Sequence, residues 1–187
     1  MIRSLVVAWA LALSFPQTAS PPQKRVNPDA RLTAEFMARV NAYMDLHEGL
    51  ESKLPKLSKE ATPEEIDKHQ RALGRMIADA RRTAQPGDLF TRDIRALFRR
   101  YLAAVFSGPD GKELKASIMD ENPGPVKVTV NGRYPDEIPL ATMPPQVLRW
   151  LPKIPEELEY RFIHDRLVLL DVHAHLIVDV IERALPS

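Results

Sequence analysis

Apolar positions along the chain recur first at a helical period and later at a strand period. Leu32, Phe36, Val40, Tyr43, Leu50 and Leu54 fall three, four or seven residues apart, one stripe of a helix of about 25 residues. Asn27-Pro28 supplies a cap and a first-turn proline, and Pro55 is predicted to end the helix. A second helix starts at Thr62-Pro63-Glu64-Glu65. Thr62 caps it, Pro63 takes the first helical position, and Glu65 can reach back to close a capping box. Its stripe is Ile66, Leu73, Ile77 and Ala80, and the short Pro-bounded link makes the two helices an antiparallel hairpin. A turn at Gln85-Pro86-Gly87-Asp88, with Asp88 as cap, leads to a third helix. It carries Phe90, Ile94, Leu97, Phe98, Tyr101, Leu102, Val105 and Phe106, is predicted to be central, and stops at Gly108-Pro109. A short helix follows over residues 110–120.

The pattern changes at Asn122-Pro123-Gly124-Pro125. The stretch VKVTV (126–130) alternates and is rich in β-branched residues, so one strand is predicted there, ending near Asn131-Gly132. Residues 135–155 are Pro-rich, with one helical turn at 145–151. Three short strands then follow at 158–163, 166–171 and 176–181, with turns at 164–165 and 172–175. The rival for the last stretch is a terminal helix over 172–185, with Ala174, Ile177, Val178, Ile181 and Leu185 at helical spacing. Consecutive β-branched side chains at Ile177 and Val178 favour the strand. The fold class expected is α+β: a long helical hairpin and a central apolar helix, packed on a small antiparallel β-meander at the C-terminus. So small a sheet needs a covering layer. The helical region is 28–121, and the Pro-rich α+β region 122–187.

The first residues change the setting. Met1-Ile2-Arg3 is a short basic start, and residues 5–15 (LVVAWALALSF) form an uncharged apolar run, followed by small residues. This reads as an export signal over residues 1–20, cleaved near Ala12-x-Ser14 or Ala19. The run is shorter than the roughly 20 residues of a permanent span. Residues 21–27 read as a disordered linker. The expected location is therefore periplasmic or secreted. Without residues 1–20 the chain keeps 25 basic and 25 acidic side chains, a balance that argues against nucleic-acid binding. The absence of cysteine removes disulfides, thiol nucleophiles and lipid attachment through Cys.

Candidate chemistry is sparse. G-x-S-x-G, H-E-x-x-H, the P-loop and G-x-G-x-x-G are all absent, so no catalytic residue is assigned and no enzyme is expected. A hydrolase built on an unrecognised carboxylate pair is the remaining enzymatic alternative. If strand geometry ran on through residue 175, Asp171, His173 and His175 would share one face and could hold a divalent first-row metal. If the chain turns at 172–175, they become exposed turn residues. His47, His69 and His164 read as isolated surface histidines, and Trp150 is expected to pack under the sheet.

The arginines cluster. Arg92, Arg95 and Arg99 lie on one face of the third helix, and Arg71, Arg75 and Arg82 likewise on the second. Residues 62–106 hold nine basic side chains against six acidic. Arginine forks match phosphate or carboxylate, so this surface is the expected docking face for a protein or an anionic cell-envelope component. Otherwise it is a solvated face with i,i+4 pairs such as Asp67–Arg71. The leading expectation is a non-enzymatic exported module that binds such a partner. Metal binding through Asp171, His173 and His175 is the alternative.

Two resemblances add to this. The stretches ATPEEI, QPGDLFT, DENPG, PLATMPPQVLRWLPKIPEELEYRF and LVLLDVHAHLIVDVI resemble an uncharacterised group of exported bacterial proteins, over roughly residues 32–185. That likeness implies export and a shared architecture, and no catalytic residue. Over residues 152–181, Tyr160-Arg161-Phe162 and Ile177-Val178-Asp179-Val180-Ile181 are similar to the periplasmic β-module of the family implicated in nickel and cobalt homeostasis. The glycine usual in that module's second turn is missing here. The likeness implies a β-hairpin architecture, without the family's role.

Overall fold

The computed structural model describes residues 27–120, 127–136 and 143–186. The export-signal and cleavage expectations, and the linker up to residue 26, lie outside the described residues. The described elements are α1 (Pro28–Glu51), α2 (Pro63–Ala80), α3 (Arg92–Phe106), α4 (Gly111–Asp120), α5 (Pro145–Leu148), β1 (Leu158–Ile163), β2 (Arg166–Asp171) and β3 (Leu176–Ile181). The fold is α+β, with a three-stranded antiparallel meander in the order β1-β2-β3.

The helix starts follow local chemistry. Asn27 Oδ1 accepts the backbone N–H of Asp29, and Thr62 and Glu65 form both halves of a capping box. Two boundaries differ from expectation. α1 ends at Glu51, before Pro55, with Ser52 as C-cap. α3 begins after Thr91, while the Asp88 carboxylate instead accepts the N–H of Gln85 within the turn. In that turn Gly87 sits at φ 106°, a conformation that L side chains rarely adopt.

The sheet is buried on both faces. Towards the helices point Tyr160, Phe162, Leu167, Leu169, Leu176, Val178 and Ile181, which join Phe36, Val40, Leu73, Ile77, Phe90 and Phe98 in the main core. At its centre Phe36 stacks on Phe90 at 5.4 Å between ring centroids and meets Phe98 edge-on at 5.1 Å. On the other face Ile163, Val168, Leu170, Ile177 and Val180 pack with Tyr134, Val128 and Val130. This double burial explains why β2 and β3 read as continuous apolar runs. The terminal-helix alternative for 172–185 is overturned by β3 pairing with β2.

The segment containing VKVTV departs from the predicted strand. Among its described residues, 127–130, none is in a strand. The segment covers the second face of the sheet, and backbone hydrogen bonds join its end to the start of β3 and the residue before it: Asn131 N donates to Ile177 O, Ile177 N to Gly132 O and Tyr134 N to His175 O. Asn131 adopts φ 62°, and just beyond it Arg133 forms an isolated antiparallel bridge with Leu176.

A β-bulge decides which way β3 points its polar residue. Leu169 pairs with Asp179 and Leu170 with Ile177, so Val178 is an extra residue. Val178 and Asp179 consequently both serve the helical side, and the next core residue on that side is Ile181. Trp150 also departs from expectation. It is 51% exposed, against Tyr101 at 5.9 Å, because the short helix α5 lies over α3 rather than beneath the sheet. Among the described residues no helix is long and apolar enough to cross a membrane.

Candidate metal centre

The buried stripe of α1 runs Phe36, Val40, Tyr43, Met44 and then His47, so an imidazole occupies a core position near the C-terminal end of the helix. Glu51 is one helical turn further on the same face. Across from them, Asp171 closes β2 with its side chain on the helical side, in step with Leu167 and Leu169. Asp171 and His47 are both fully buried.

Asp171 uses both oxygens. Oδ2 accepts the Tyr43 hydroxyl at 2.6 Å and lies 2.6 Å from His47 Nδ1. Oδ1 accepts the N–H of Ala174 at 2.8 Å, which ties the carboxylate to the 172–175 turn. Burial, reinforced by the charge and hydrogen bond of Asp171, pushes the Tyr43 hydroxyl far above its ordinary pKa, so it stays a donor. An ionised carboxylate only accepts, so His47 Nδ1 carries the proton and Nε2 faces outward.

What His47 Nε2 faces is another carboxylate, Glu51 Oε2, at 3.2 Å. Glu51 Oε1 in turn lies 3.1 Å from His173 Nδ1 and 3.6 Å from His69 Nε2. Burial lowers the pKa of His47, but the hydrogen bonds and charges of Asp171 and Glu51 outweigh it and raise the net value. An imidazole with a carboxylate at each nitrogen requires a positive charge on its outer side, either a second proton or a cation.

One ligand atom from each of His47, Glu51 and His173 lies within 4.8 Å of the others. A tetrahedral ion with bonds of about 2.0–2.1 Å holds its ligands about 3.3 Å apart. The His47 and His173 contacts to Glu51 are of that length, 3.2 and 3.1 Å, but run to different oxygens, Oε2 and Oε1. Bringing all three onto one ion would take a rotation of Glu51 and His173, for which their side chains, 31% and 45% exposed, have room. Glu51 and His173 line a cleft of about 570 Å³ between the end of α1, residues 52–57, the first half of α2 and the 172–173 turn, with the buried His47 behind them.

The predicted ligand set is divided. His173 reaches the cluster, and Asp171 supports it from behind. His175 goes elsewhere, because the chain turns at 172–175 and its φ of 50° breaks strand alternation. Its ring meets Tyr134 edge-on at 5.6 Å, and its Nε2 lies 3.6 Å from Asp136. Burial, followed by the charge of Arg133, lowers its pKa. Sequence reasoning missed His47 and His69, which are not isolated surface residues: His47 is fully buried and the His69 side chain is 10% exposed. A signal was present in the helical stripe, which has a vacancy between Tyr43 and Leu50 that His47 fills.

The arginines do not converge. Arg71 pairs with Asp67 at 2.7 Å, Arg92 with Asp93 at 3.0 Å, and Arg99 donates to Glu182 O at 2.7 Å. Arg95 lies beside Gly87, and Arg75 and Arg71 line a smaller cleft of about 230 Å³ with Arg133. Arg82 falls beyond the end of α2 and so off its helical face. No family model, curated protein or solved structure matches this chain, and the reading of the site rests on its own geometry.

Proposed function

We propose that this protein is a non-enzymatic exported module that binds a first-row divalent metal ion, zinc in the first instance. The ligands are His47 Nε2, the Glu51 carboxylate and His173 Nδ1. The observation that carries the reading is His47: its inner nitrogen is held by a buried carboxylate, and its outer nitrogen meets Glu51. A carboxylate behind a ligating histidine is the usual way to fix its tautomer and raise its basicity. Two imidazoles with one carboxylate suit zinc, copper or nickel better than calcium or magnesium. The apolar leader at residues 1–20 supports an exported setting, where extracytoplasmic metal is the available pool. This ligand set takes the place of Asp171, His173 and His175.

The test is calorimetric titration of the metal-free protein with zinc, copper and nickel. One ion is expected to bind per chain. His173→Ala, at an exposed position that does not threaten the fold, is expected to lose most of the affinity, and His47→Ala/Glu51→Gln to lose it altogether. His175→Ala is expected to bind like the wild type. Equal binding by wild type and His173→Ala, or no binding at all, would leave His47 as a doubly paired imidazolium and end the proposal.

A further inference from the structure

The cleft beside the metal trio has a composition that the ion alone does not require. Its walls are Leu54, Pro55, Leu57, Ile66 and Val172. Leu57 is 43% exposed and Ile66 40% exposed, two of the four large hydrophobic side chains left exposed among the described residues. Both stand at the same opening. An apolar cleft of about 570 Å³ lies within the usual range for a small organic ligand, about 300–1,000 Å³. The trio supplies three protein ligands, and His69, 3.6 Å from Glu51, stands outside it. Three-ligand zinc sites keep a position open for an exogenous ligand, whereas structural sites are closed by four. Glu51, His69 and His173 all line the cleft, so the open position faces it.

Charge identifies the head group. The cleft is lined by Glu48 and Glu51 against Lys56. A divalent ion that replaces the second proton of His47 adds one positive charge to this site and offers an open coordination position for an anion. Resting on the metal reading above, we infer that the loaded site takes a small amphipathic carboxylate. The carboxylate ligates the metal with Lys56 nearby, and the aliphatic chain lies between Leu57, Ile66 and Val172. The metal then acts as the switch for ligand binding, because it supplies the coordination position and the added positive charge that hold the carboxylate.

Octanoate is the probe, with acetate and octanol as the arms that lack the chain and the carboxylate. Binding is measured by calorimetry and by ligand-observed NMR, on metal-free and zinc-loaded protein in a carboxylate-free buffer. Octanoate is expected to bind the zinc-loaded form at least about tenfold more tightly than the metal-free form, and more tightly than either acetate or octanol. Leu57→Asp and Ile66→Asp change exposed rim residues. They are expected to weaken octanoate binding about tenfold or more while zinc binding stays unchanged. Zinc binding with octanoate affinity that is absent or independent of zinc would overturn this inference and leave the metal reading standing. Absence of zinc binding would overturn both.

Discussion

Asp171 holds three groups with two oxygens: Tyr43 and His47 on α1, and the Ala174 amide in the following turn. A buried carboxylate in this position is tolerated because each oxygen has a partner, two through Oδ2 and one through Oδ1. Removing its charge while keeping its shape separates support of the metal from ligation. Asp171→Asn leaves His47, Glu51 and His173 in place but weakens the hold on the His47 tautomer. The expected result is a 10–100-fold loss of zinc affinity, the usual scale for an outer-shell partner. Zinc titration of this variant, with circular dichroism to verify the fold, checks it; unchanged affinity would show that Asp171 serves packing alone.

At the scale of elements, β3 is aligned with the helical layer by its bulge and by Asp179. This fully buried carboxylate accepts the N–H groups of Gly87, Leu89, Phe90 and Val180 at 2.7–2.9 Å. It fastens the turn between α2 and α3 to the sheet, far along the chain from both. Asp179→Ala would leave several buried donors unpaired, each at about 1–3 kcal/mol. A total loss of about 3 kcal/mol or more is expected in urea unfolding, with zinc affinity of the surviving folded protein unchanged. A loss near zero would mean that water replaces the carboxylate. The same logic explains the helix starts: Thr62 and Glu65 bond within one turn, so their geometry needs no distant partner.

At the scale of the whole molecule, the metal trio couples the helical hairpin to the meander. Its ligands come from α1 and from the turn between β2 and β3, so an ion bound there stabilises the folded state by mass action. With free zinc at about 100 times its dissociation constant, the stabilisation expected is about 2.7 kcal/mol. A thermal melt read with and without zinc checks this, and EDTA is expected to return the midpoint to its metal-free value. His173→Ala is expected to show a much smaller rise with zinc than the wild type. A rise in that variant equal to the wild type's would place the ion elsewhere.

How much of this was legible in the chain follows from the range of the forces involved. The caps at Asn27 and Thr62, the apolar stripes and the strands at 158–163, 166–171 and 176–181 could be read from neighbours within a turn or two. Residues 126–130 misled because alternation marks a pleated surface but does not state which strand edge receives it. Of the candidate metal ligands, the sequence determined only that histidines and an aspartate surround a turn. The tertiary fold separated His175 from them and turned Asp171 inward. It brought His47 across 124 positions to Asp171 and Glu51 across 122 to His173. Local pattern is carried by backbone geometry and can be read along the chain, whereas a buried charge finds its partner only when helix and sheet close over it.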